Sequence, residues 1–256
     1  FLIFVKKVFC IIMITSRQNE FVKRVASLKD KKYRAAYGEY IIEGVKQVRE
    51  AIACGQDVGH IVVSESYAGD VFDAGKTVCV SDGVFAKLSE ESSPQGILAV
   101  LKLPKNPLRP PEGNCLLLDG VSDPGNLGTI IRTANAAGYG EIYLLGCADP
   151  YAPKCVRSAM SGIFFVDLFR ISETGALFEG VPLICADMGG ENVFSFHAPE
   201  KFCLVIGNEA NGVSESVRRQ CAFTVRIPMR GSCESLNAGV SAGILMYELT
   251  KGASAK

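Results

Sequence analysis

Residues 202–212 read FCLVIGNEANG. The run FCLVI is apolar without alternation, as expected of a strand buried on both faces of a parallel sheet. It breaks into GNEANG, where two glycines and two asparagines tolerate unusual backbone angles. Similar apolar runs occur at Cys115–Leu118, Glu141–Leu145, Phe164–Val166, Pro182–Ala186 and Thr224–Ile227. Helical spacing fills the gaps at Thr129–Ala137, Pro153–Ser161, Val213–Cys221 and Leu236–Leu249. This half therefore reads as an α/β domain with a mostly parallel sheet covered on both faces. Such sheets bind ligands beyond the carboxyl ends of their strands. The loops after Leu118, Ile206 and Ile227 thus become the candidates for chemistry.

Upstream, the stretch 103–114 (LPKNPLRPPEGN) carries Pro104, Pro107, Pro110 and Pro111 and cannot continue a helix or a central strand. It reads as a linker. Before it, strands at Tyr40–Ile42, His60–Ser64, Thr77–Val80 and Gly96–Leu101 alternate with helices at Ser16–Leu28, Val45–Ile52 and Phe85–Leu88. The expected organisation is a small α/β domain at 13–102, a proline-rich linker at 103–113 and the larger α/β domain at 114–256. Residues 1–12 (FLIFVKKVFCII) are too short to span a bilayer and are broken by Lys6 and Lys7, so they read as an extension outside the fold. No small-residue cleavage site follows them, so no secretory signal is read there.

Charge is balanced over the 256 residues, with 27 Lys/Arg and 27 Asp/Glu, so the whole chain is not a polycation. It is unevenly spread, however. Residues 17–50 hold nine Lys/Arg against five acids. Arg17, Lys23, Lys31, Lys32 and Arg34 from this stretch are candidate contacts to the phosphates of a nucleic acid. The ten cysteines are scattered, lack a C-x-x-C pair, and are accompanied by only two histidines, so neither a disulfide framework nor a zinc site is expected. Most read as small core hydrophobes of a cytoplasmic protein, with no metal and no membrane segment.

The first candidate loop, 119–132 (DGVSDPGNLGTIIR), has a turn at Pro124-Gly125-Asn126 and a helix starting at Gly128, with Asn126 and Arg132 as its polar residues. It is neither a P-loop nor a dinucleotide fingerprint, because its glycines are wrongly spaced and no G-K-[ST] follows. The second places Glu209 in the middle of GNEANG, where it can cap a helix or orient a cation such as Arg132. The third, 227–237 (IPMRGSCESLN), ends with Ser235 and Asn237 at a helix start. Each of these polar residues, taken alone, can be a helix cap or a surface group.

In order, NLGTIIRTA, IGNEANGV and IPMRGSCESLNAGVSAGILMYE resemble the three motifs of the SpoU (TrmH-like) RNA 2′-O-methyltransferases. The N-terminal stretches KYRAAYGEYIIEGVKQVREAI and SPQGILAV resemble that family's ribosomal-protein-like substrate-binding domain. Cys233 and Glu234 replace variable positions, and residues 1–12 have no counterpart. The resemblance implies a SPOUT-type fold, in which the C-terminal segment of the parallel-sheet domain threads a trefoil knot. It implies S-adenosylmethionine as cofactor, held at Gly207, Asn208, Ile227, Met229, Gly231 and Leu236. It also implies a homodimer paired through the C-terminal domain. The catalytic set would be Asn126, Arg132, Glu209, Ser235 and Asn237, with Glu209 holding Arg132 in place. Arg132, effectively always protonated, would bind the RNA phosphate and stabilise the forming alkoxide.

The substrate implied is structured RNA, with ribosomal RNA (a 23S-type guanosine) ahead of tRNA. A non-catalytic RNA-binding protein on this scaffold would have lost the polar motif residues, which are all present. A dinucleotide-dependent oxidoreductase would need a glycine fingerprint with an acid some twenty positions on, which the chain lacks.

Overall fold

The computed structural model describes residues 13–70, 72–232 and 235–251. The expected extension 1–12, and Cys233 and Glu234 of the third loop, lie outside the described residues. The chain divides into two compact units. Among the described residues, the first comprises 13–104 with the segment 151–157, and the second 105–150 with 158–251.

In the first unit the strands are β1 (Met13–Ile14), β2 (Glu39–Glu43), β3 (Val58–Ser64), β4 (Thr77–Val80) and β5 (Ile97–Lys102). They form one sheet in the order β1-β4-β3-β5-β2. Helices α1 (Glu20–Ser27) and α4 (Asp82–Leu88) pack on it through Val22, Val25, Val84, Phe85 and Leu88, against Val62, Val80, Leu98 and Val100. Helix α3 (Val45–Ala53) packs on β2 and β5. Helix α2 (Lys31–Tyr37) is an addition to the sequence reading, which drew no element there. Its one buried residue is Arg34, so it shows no apolar periodicity to read. Asp30 caps it by accepting from the Lys32 N–H, and Gly38 ends it with φ +63°.

The second unit holds β6 (Cys115–Asp119), β7 (Glu141–Leu145), β8 (Asp167–Ile171), β9 (Leu183–Asn192), β10 (Cys203–Gly207) and β11 (Cys221–Arg226). Their order is β11-β9-β10-β6-β7-β8, and every ladder is parallel. Helices α5 (Pro124–Ala136), α7 (Glu215–Arg218) and α8 (Ala238–Leu249) connect or close it, while most of α6 (Pro153–Ala159) falls in the segment 151–157 that belongs to the first unit. Cys115, Leu117, Tyr143, Cys185, Cys203 and Val205 form the core on one side. Seven described cysteines carry free thiols. Among the described residues no helix is long and apolar enough to cross a membrane.

Three local readings are corrected. Pro124-Gly125-Asn126 is the first turn of α5, not a turn before it: Asp123 is the N-cap and Pro124 sits where no intrahelical N–H is needed. Residues 160–164 form a 3-10 turn, and the strand expected at 164–166 lies at 167–171 instead. Helix α7 is one turn, because β11 already begins at Cys221. The proline-rich stretch has no regular structure, yet it is tied down. Arg109 donates to Asp167 at 3.0 Å and its carbonyl accepts the Tyr143 hydroxyl at 3.0 Å.

Candidate active site

Strands β6 and β10 run side by side with Gly207 opposite Asp119, so the first two loops leave the sheet together. This is the point from which the strand order proceeds both ways, where open parallel sheets leave a crevice. The second loop closes on itself: Asn208 and Gly212 exchange backbone hydrogen bonds at 2.9 Å each. Position 207 admits no side chain, since a Cβ there would stand 2.1 Å from the Gly212 carbonyl carbon. The Asn208 amide then ties the two loops, donating to the Gly120 carbonyl at 2.8 Å.

A second set of bonds joins all three loops. Asn126 donates from Nδ2 to Glu209 Oε1 at 3.0 Å and accepts at Oδ1 from Asn237 Nδ2 at 2.8 Å. Asn237 also caps α8, its Oδ1 accepting from the Gly239 and Val240 N–H groups. Glu209 Oε2 accepts from the Ser122 N–H and hydroxyl at 3.2 Å each, and Oε1 from the Asp123 N–H at 3.4 Å. Partial desolvation raises the Glu209 carboxyl, but donation from Asn126 and from the backbone N–H groups outweighs it and holds the group below its ordinary value. Glu209 is thus an ionised anchor for the first loop.

Beside this network lies a cavity of about 530 Å³, within the size range of small-molecule sites. Of the eleven positions singled out in the second domain, nine line it: Asn126, Gly207, Asn208, Glu209, Ile227, Met229, Ser235, Leu236 and Asn237. Gly231 and Arg132 are not among its lining residues. Arg132 is exposed on α5 and has no hydrogen-bond or ion-pair partner among the described residues. The expected Glu209–Arg132 pair is therefore corrected: the carboxylate's oxygens are taken by Asn126, Ser122 and Asp123.

The cavity also takes in Ala186, Asp187 and Met188 in the middle of β9, which the sequence reading left out of the site. The carboxyl-end rule, applied to the run ending at Ala186, would have found them. Arg218 donates to Asp187 at 2.6 Å and holds its carboxyl below the usual value. On the first unit, Arg17, Lys23, Lys31 and Lys32 are exposed. Arg34 is not: it is buried, and its Nη1 donates to the Leu28 and Lys29 carbonyls at 2.7 Å each. Its expected role as an RNA contact is corrected to that of a structural tie between α1 and α2.

The SpoU rRNA Methylase family model matches residues 113–247, more than half of the chain. The chain belongs to the SpoU rRNA methylase family. An MRM3-like substrate binding domain matches residues 19–99. Among family members, the 23S rRNA (guanosine(2553)-2′-O)-methyltransferase RlmP of Bacillus subtilis is 34% identical, over 92% of this chain and 98% of its own. The 23S rRNA (uridine(2479)-2′-O)-methyltransferase of Streptomyces viridochromogenes is 30% identical, over 93% and 91%. The crystal structure of an AdoMet-bound rRNA methyltransferase from Sinorhizobium meliloti superposes with a TM-score of 0.82 at 27% identity, covering 95% of this chain and 99% of that one.

Proposed function

We propose that this SpoU methylase moves a methyl group from S-adenosylmethionine to a ribose 2′-hydroxyl of ribosomal RNA, with 23S rRNA as the substrate and guanosine as the preferred nucleoside. The chain of bonds Glu209–Asn126–Asn237, which gathers three loops at one cavity, carries the reading. Two full-length relatives named for 2′-O-methylation of 23S rRNA support the substrate over tRNA, and the reaction then belongs to the cytoplasm, with the ribosomes.

The cavity's residues fit the cofactor. Ile206, Val225, Leu236 and Leu245 offer apolar wall for an adenine, while the Glu209 carboxylate brings negative charge suited to a cationic ligand. Backbone groups at Gly207, Ile227 and Leu236 would hold it, with Asn208 and Met229 beside them. S-adenosylmethionine, when bound, supplies an already activated methyl group, so the protein's work is alignment and exclusion of water. Asn126 is oriented from both sides, by Glu209 and Asn237, and presents the ribose with a fixed edge. Neither His60 nor His197 lines the cavity. Arg132 is exposed and has no partner among the described residues, so its guanidinium binds the RNA phosphate and steadies the developing alkoxide. Ser235 shapes the loop beside the nucleophile.

Two finer readings belong to this proposal. The C-terminal segment threads a trefoil knot, a reading supported by Asn237 reaching back to Asn126. The protein works as a homodimer through its C-terminal unit. Helix α8 is apolar on nearly every side, yet Val240 and Tyr247 are 50% and 55% exposed; a helix apolar all round is normally covered, and a second copy covers this one. Because Arg132 lies off its own cavity, the dimer supplies it to the partner's.

Mapping 2′-O-methyl positions in rRNA and tRNA from cells with and without the gene tests the substrate. A single 23S position is expected to lose its methyl group. Loss confined to tRNA would redirect the reading, and no change in either RNA would end it.

A further inference from the structure

Helix α2 carries an arrangement that the methyl-transfer site does not use. Tyr33 and Tyr37 are four residues apart and share one face of the helix. They are 38% and 41% exposed, and their rings lie near-parallel at 21° with centroids 6.1 Å apart. Neither ring fills the core, since Arg34 is the helix's only buried side chain. Each ring is attended by a cation: Lys32 Nζ lies 5.8 Å from the Tyr33 centroid, and Arg24 Cζ 5.0 Å from that of Tyr37. The arginine is held in place. Its Nη2 donates to both oxygens of Glu39 at 2.9 Å, and this buried carboxylate also accepts from Lys102 at 2.7 Å. Lys31 adds a further exposed charge, and α2 itself contains no acid.

We propose that Tyr33 and Tyr37 form a stacking platform for unpaired bases of the RNA substrate, with Lys31 and Lys32 holding the adjoining phosphates and Arg24 fixing the Tyr37 ring. The proposal rests on the RNA-methyltransferase reading and gives the first unit a preference for single-stranded RNA. Charge complementarity selects the occupant. Aromatic rings flanked by cations match the alternation of flat base and anionic phosphate in an unpaired strand. A duplex hides its base faces and cannot use the rings.

The test uses the full chain and two probes, a fluorescent mixed-sequence single-stranded oligoribonucleotide and the same strand annealed to its complement. Tyr33→Ala/Tyr37→Ala is expected to weaken single-strand binding about ten-fold or more, to leave duplex binding within about two-fold, and to keep the salt slope. Tyr33→Phe/Tyr37→Phe keeps the rings and is expected to bind like the parent. Lys31→Ala/Lys32→Ala should lower the salt slope by about two contacts' worth. Unchanged single-strand affinity in the alanine variant, with an unaltered melting temperature, overturns the platform. So does equal loss for both probes, or a phenylalanine variant as weak as the alanine one. Methylation of rRNA is scored separately, so a protein that methylates normally but fails these binding tests loses the platform and keeps its activity.

Discussion

Arg34 in the first unit and Arg132 in the second are both helical arginines, and the fold treats them in opposite ways. Arg34 is sunk between α1 and α2, donating to the carbonyls of Leu28 and Lys29. Arg132 stands exposed on α5 with no partner among the described residues. A buried guanidinium whose donors are taken by backbone carbonyls stabilises the fold and has little left for RNA. An exposed one with no partner among the described residues is available to a ligand. The number of basic residues in a stretch therefore says little about its partner; what each donor already touches says more.

The largest effect that would break this contrast is at Arg132. Arg132→Ala is expected to reduce methyl transfer by about 10²–10³ or more, while calorimetry still shows S-adenosylmethionine binding. Mixed with a Gly207→Val protein, whose cavity is spoiled, Arg132→Ala should recover part of the activity. In the proposed dimer, a mixed pair would set one intact cavity against one intact arginine. No recovery would place Arg132 in its own chain's site.

Arg34→Met should do the reverse, leaving the buried Leu28 carbonyl and the part-buried Lys29 carbonyl without their donor at a cost of about 1–3 kcal/mol. It should lower the melting temperature without changing the salt slope of RNA binding. A normal melting temperature with a reduced slope would return Arg34 to the RNA surface.

The smallest effect is in Glu209. Its carboxyl is held below the ordinary value of 4.5, so its contribution to loop order is present in full above that value and lost as pH falls below it. Cofactor affinity should weaken in that acid range, and Glu209→Gln should be weaker at neutral pH and flatter with acid. An acid limb equally steep in Glu209→Gln would assign it to another group.

The sequence made the sheet of the second unit legible because buried parallel strands are written as unbroken apolar runs; Cys115–Leu118 and Cys203–Ile206 are buried in β6 and β10. Helix α2 was invisible because its inward residue is an arginine. The start of α5 was placed late because Pro124 and Gly125 read as a turn, whereas an aspartate cap followed by proline opens a helix equally well. The loops that border the cavity could be named from strand ends. The partner of Glu209 could not, because a carboxylate flanked by small polar residues accepts from whichever donors the folded loops bring, and these came from Ser122, Asp123 and Asn126. Asp187 was passed over because β9 runs to Asn192, beyond the apolar run that marked its start.

The central claim is that the three-loop cavity directs a methyl group to a ribose oxygen. The most direct test incubates the purified protein with methyl-labelled S-adenosylmethionine and unmodified 23S rRNA, then hydrolyses the RNA in alkali. Chain cleavage by base needs a free 2′-hydroxyl, so the account predicts label in an alkali-resistant dinucleotide, absent with Arg132→Ala. Label released in mononucleotides, as a base methyl group would be, or no incorporation at all, would contradict it.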